Sequence, residues 1–131
     1  MAQRTQSCTE ATVQGRLAKA IEFIEAAESQ RSIAPQRANA WVTLSIHAGV
    51  AAADVICCRA LGYYARGDDH VRAVTLLRSV QPDGTRLANA LSVLLAMKTK
   101  AGYGEQSVGA DDRVRALRRA RELVAAARRA T

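Results

Sequence analysis

Residues 41–61, WVTLSIHAGVAAADVICCRAL, constrain the fold more than any other stretch, because they are apolar at most positions. Wound as a helix, the segment has apolar side chains over most of its circumference rather than on one stripe. Such a helix belongs in the middle of a bundle, with neighbours on several sides. Gly49 inside it costs about 1 kcal/mol in helix propensity relative to Ala, and close approach of a second helix is the expected return. The pattern predicts a long helix over residues 35–65.

The other segments are simpler. A helix is expected over residues 9–30, opened by a Ser7/Glu10 capping box, with Val13, Leu17, Ala20, Ile21, Ile24 and Ala27 at helical spacing. Residues 70–79 read as a short helix capped by Asp68 or Asp69, with Gly67 as the left-handed cap of the long helix before it. Pro82-Asp83-Gly84 is the clearest turn. Residues 85–100 and 111–129 complete the set, and the last helix buries Val114, Leu117, Ala120, Val124 and Ala127. Four long helices and one short one with short connections predict an all-α, up-and-down four-helix bundle with one additional short helix. Residues 1–8 are expected to be a flexible tail and 9–131 a single domain. Hydrophobic residues make up 49% and aromatics 4% of the 131, which suits an Ala/Leu helical core.

Composition narrows the partners. A net charge of +7 favours nucleic acid, nucleotide or an acidic protein, against an Arg-rich surface with no ligand. No uninterrupted apolar run approaches the roughly 20 residues that cross a bilayer, since Asp54 breaks residues 48–58. The polar first twelve residues predict no signal peptide, and no membrane partner is expected. Cys57 and Cys58 are adjacent and cannot bridge each other on a helix, so all three cysteines read as reduced thiols of a cytosolic, cytoplasmic chain. No zinc spacing, P-loop or GxGxxG occurs, so neither metal nor cofactor is expected.

Three groups of residues could carry chemistry. His47, Ala51, Asp54 and Cys58 share one face of the long helix. They cannot form a triad, because His47 lies about 10 Å from Asp54 along the axis and about 16 Å from Cys58. Partners must come from another helix. Aligning the long helix antiparallel to residues 85–100 places Asp54 near Lys98 and His47 near Lys100 or Tyr103. This is either a structural ion pair with a core histidine or a polar pocket. Arg66 and His70, with Arg72 nearby, could bind phosphate and move a proton, or could simply flank a capping loop. In the last helix, Arg115, Arg118 and Arg119 are candidate nucleic-acid contacts among several exposed arginines, without aromatics for base stacking. Trp41 and the Tyr63-Tyr64 pair are candidates for a dimer surface, with core packing as the other reading of Trp41.

The run Leu94-Leu95-Ala96-Met97-Lys98-Thr99-Lys100-Ala101-Gly102-Tyr103, then a loop and an Ala-rich last helix, resembles the C-terminal half of a HEPN domain. The resemblance implies a four- to five-helix bundle, commonly dimeric, in a family with many metal-independent ribonucleases. These are often toxins paired with a nucleotidyltransferase or another antitoxin. The family's Arg-x4-6-His motif is replaced here by Lys98, Lys100 and Tyr103. The chain is therefore expected to be a HEPN-like module that binds RNA, a nucleotide or a partner protein, as a homodimer, with catalysis left open by the missing motif. The alternatives are a divergent ribonuclease using Lys98, Lys100, Tyr103 and His47, and a helical interaction module without nucleic acid.

Overall fold

The computed structural model describes residues 5–131. Its elements run β1 (Thr5–Ser7), α1 (Glu10–Ile33), α2 (Ala38–Leu61), β2 (Tyr63–Ala65), α3 (His70–Arg78), α4 (Gly84–Ala96), α5 (Lys98–Gly102) and α6 (Ala110–Ala130). The described residues are mostly helical, with one ribbon of two short antiparallel strands. As the apolar pattern requires, α2 is central: it packs against α1, α6, α5 and α4, and α6 also contacts α4 and α1. By length and composition α2 could cross a bilayer, contrary to the run-length expectation, but 78% of its most apolar window is buried inside the protein.

Much of the interior is alanine. Ala20, Ala27, Ala52, Ala88, Ala116 and Ala120 are fully buried, interspersed with Leu77, Leu91, Leu94, Leu117 and Leu123. Small side chains let the helix axes approach closely. Gly49 marks the tightest point, where a Cβ would lie 2.4 Å from Leu94 Cδ1 and 3.2 Å from Leu123 Cδ1. Trp41 is core rather than surface: it is 3% exposed, and its indole N–H donates to Pro35 O at 3.2 Å.

Several boundaries differ from the sequence expectation. The capping box of α1 uses Thr9 and Thr12, not Ser7 and Glu10. Ser7 is instead committed to β1, where it pairs with Tyr63, while Thr5 pairs with Ala65. The predicted tail is therefore ordered from Thr5, and its first four residues lie outside the described ones. α2 stops at Leu61 because Gly62 turns left-handed at φ 83° and donates its N–H to Cys58 O at 2.9 Å. Gly62, not Gly67, is the helix cap, and residues 63–65 leave the helix to pair with β1. The predicted helix over 85–100 breaks at Met97, whose N–H is shared between Leu94 O and Leu95 O, and the single turn α5 follows. Val114, expected in the core stripe of α6, is 67% exposed.

The cysteine reading is also corrected. Cys8 and Cys58 form a disulfide with a Cα–Cα distance of 5.7 Å, while Cys57 is free and buried. Adjacency of Cys57 and Cys58 was no obstacle, because the partner comes from the strand pairing that sets Cys8 beside Gly62, with Cys8 N donating to Gly62 O at 3.0 Å. Arg59 clamps the same corner through a two-pronged pair to Glu10, both contacts at 2.9 Å. The cytosolic expectation rests on reduced cysteines and loses that support.

Candidate functional site

A cleft of about 280 Å³ opens where α1, α2, β2, α3 and α5 meet. Ile46, Val50 and Ala73 give it apolar walls, and Arg16, His47, Asp54, Tyr64, His70 and Lys98 bring the chemistry. The lining includes residues 67–69, so the N-terminal turn of α3 opens into it.

Asp54 is 7% exposed and faces Arg16 across 3.5 Å. The expected Asp54–Lys98 pair does not form. A central helix has neighbours on both sides, and α1 supplies the guanidinium before α5 can supply the ammonium. Burial pushes the Asp54 carboxyl up to about 7, and the opposing pull of Arg16 does not restore it. This pair is therefore not a strong salt bridge. Desolvation wins, because Arg16 is long, half-wet and at the far edge of contact. Arg16 is held by a second group: its guanidinium sits 5.1 Å from the Tyr64 ring centre and reaches the Tyr64 hydroxyl at 3.5 Å. Tyr64 is thus half-buried in the cleft rather than part of an aromatic dimer patch, since β2 turns it inward.

Lys98 is placed by the break at Met97. Its Nζ lies 3.0 Å from His70 Nε2. An ammonium only donates, so the imidazole accepts and is neutral in this contact. Burial, then the Lys98 charge, lowers the His70 pKa, which agrees with that protonation. His70 opens α3, whose N-cap Asp69 accepts from Arg72 N at 3.0 Å. His47 is exposed on α2 and lies against Phe23, with ring centres 5.6 Å apart.

The structure thus brings Asp54, His47, His70 and Lys98 together and leaves the other candidates outside. Lys100 lines a separate shallow surface with Thr99 and Glu105, and Tyr103 is 80% exposed. His47 therefore approaches the Lys98 side of the α5 turn, not Lys100 or Tyr103. Arg66 is exposed and does not line the cleft. On α6, Arg115 and Arg118 are exposed, whereas Arg119 is half-buried and pairs with Glu122 at 3.2 Å. Glu122 also holds Arg86.

Sequence reasoning missed Arg16 and read Tyr64 as a dimer-surface candidate, not as a cleft residue. Arg16 carried a signal: it lies three residues after Val13 and four before Ala20, on the edge of the buried stripe, where a cation needs a partner. Nothing local placed Tyr64 in the cleft, because its strand depends on residues far away in the chain. Among the described residues, no group of three or more His, Cys, Asp or Glu could hold a metal ion. Comparison of the chain with protein-family models, curated proteins and solved structures finds no match to any of them.

Proposed function

We propose that the chain is a HEPN-like helical module that binds a phosphate-bearing ligand, a nucleotide or a segment of RNA, in the cleft between α1, α2, α3 and α5. The observation that carries this reading is the convergence of Arg16, Lys98, His47 and His70 from four separate helices on one opening. The Lys98 ammonium spends one donor on His70 and has two left for a phosphate oxygen. The positive end of the α3 dipole faces the same opening, although Asp68 and Asp69 already accept from the N–H groups of His70, Arg72 and Ala73. The walls formed by Ile46 and Val50 offer apolar surface beside these donors. Asp68 and Asp69 at the rim oppose an anion, so the ligand is expected to place its phosphate on the Lys98 side. The order of long α2, short α3, a helix ending in a polar turn and an Ala-rich last helix supports an up-and-down bundle of the HEPN kind.

Isothermal titration with AMP and with inorganic phosphate tests this reading. Binding by the wild type, weakened about tenfold or more in Lys98→Met, is expected for loss of a charge-assisted contact. Equal binding by both proteins, or none by either, removes the cleft as the ligand site.

A second reading is favoured by one specific feature, two imidazoles beside one lysine. His47 and His70 could exchange protons with a ribose hydroxyl and a leaving oxygen while Lys98 steadies the phosphate charge, giving metal-independent RNA cleavage. RNA incubated in EDTA with the wild type and with His47→Ala separates the two: cleavage by the wild type alone makes the chain a ribonuclease.

A further inference from the structure

A second concave surface lies on another part of the molecule, between the last turn of α1 and the first half of α6. It has a volume of about 380 Å³ and is lined by Arg31, Arg113, Arg118 and Arg121, with Val114 and Leu117 as its floor. Arg113, Arg118 and Arg121 lie within about 12 Å along the α6 axis at 1.5 Å per residue, and Arg31 faces them from α1.

Only one of the four guanidiniums has an ion pair among the described residues. Arg121 pairs with Glu28 at 2.7 Å. Arg113 donates through Nε to Val108 O at 3.2 Å, which uses a hydrogen but leaves the charge. Arg31 and Arg118 make no ion pair among the described residues. Like charges gathered on one surface repel unless an anion completes them. Guanidinium forks match the paired oxygens of phosphate in both geometry and charge. No aromatic side chain lines the groove, so single-stranded bases find no platform there. What it can read is a backbone.

We infer that this α1–α6 groove binds the phosphodiester backbone of a nucleic-acid duplex. The inference rests on the nucleic-acid branch of the function proposed above and makes the ligand a polynucleotide rather than a lone nucleotide. Contact is electrostatic and independent of base sequence, and the +7 charge of the chain draws the polyanion in.

The test is fluorescence anisotropy of labelled short RNA and DNA duplexes over a salt series, using the intact protein. Arg31→Glu/Arg118→Glu should weaken duplex binding about tenfold or more and lower the slope of log affinity against log salt by about two. Lys19→Glu/Arg78→Glu, on α1 and α3, makes the same charge change at two exposed positions outside both concavities, and should stay within about twofold of the wild type. Binding of either duplex with this pattern supports the groove, and the tighter of the two names the source. Equal losses in both variants mean a diffuse surface field and overturn it. So does a wild type that binds neither duplex, including the case where it binds polyglutamate through the same arginines, which would make the surface a docking site for an acidic protein. AMP titration keeps the two sites apart: the groove variant should bind AMP like the wild type. Failed AMP binding with intact duplex binding would sink the cleft and spare the groove.

Discussion

Replacing Asp54 by Asn should make the protein more stable at high pH and leave it nearly unchanged at low pH. The carboxyl is 7% exposed and is pushed from 3.8 to about 7, chiefly by burial. Its native form therefore holds a proton that the unfolded chain has released between about pH 4 and about pH 7. Stability in that window must fall as pH rises, since the native state binds more protons than the unfolded one. At about 1.4 kcal/mol per pH unit the full gap corresponds to roughly 4 kcal/mol. Arg16 is 38% exposed, so water reaches the pair, and a loss of roughly 2 kcal/mol is the better expectation. Asparagine keeps the shape and an acceptor for Arg16 but cannot ionise. Urea denaturation followed by Trp41 fluorescence suits the measurement, because this single tryptophan is buried. The informative quantity is the difference between wild type and variant, in which the opposite titration of His70 cancels. Parallel stability curves from about pH 4 to about pH 8 would show an unperturbed carboxyl. A wild type that gains on the variant as pH rises would show that Arg16 outweighs burial, and either result refutes the reasoning.

Three further outcomes are expected. Opening the Cys8–Cys58 link, which spans 50 residues, with Cys8→Ser should cost about 4 kcal/mol by the loop-entropy estimate; urea melts with and without reductant measure it, and a wild type indifferent to reductant refutes it. Gly49→Ala should destabilise by about 1–2 kcal/mol despite better helix propensity, since Leu94 and Leu123 are both fully buried and leave the new methyl no room; a rise in thermal midpoint would show that Leu94 simply rotates away. Lys98→Met should move the His70 titration to higher pH, because a neighbouring cation is removed; an NMR titration of the imidazole that does not move excludes the contact.

How much of this was legible depends on whether a signal was local. α3 and α6 follow the sequence closely, because Asp69 caps the one and Leu117, Ala120, Val124 and Ala127 stripe the other. The centrality of α2 was legible from its apolar circumference. The end of α2 was not: Tyr63-Tyr64-Ala65 could continue a helix, and they leave it only because β1 offers an edge from residues 5–7. The disulfide depends on the same remote pairing. In the cleft, Asp54 and His47 announced themselves as polar residues in an apolar helix. Their neighbours did not, because choosing between Arg16 and Lys98 requires knowing on which side of α2 each helix packs.

The alanine interior also limits how this protein can change. A buried leucine can be trimmed by steps, through valine to alanine, with a graded loss at each. At Ala20, Ala52, Ala88 or Ala120 one direction offers only glycine, which removes a methyl and loosens the helix, and the other offers bulk that the closely spaced axes have no room to take. A saturation scan of the chain should therefore show these positions as nearly intolerant, more so than the leucines beside them. Drift in such a sequence is channelled to its arginine-rich exterior, while the most ordinary residue in the chain becomes the one it can least replace.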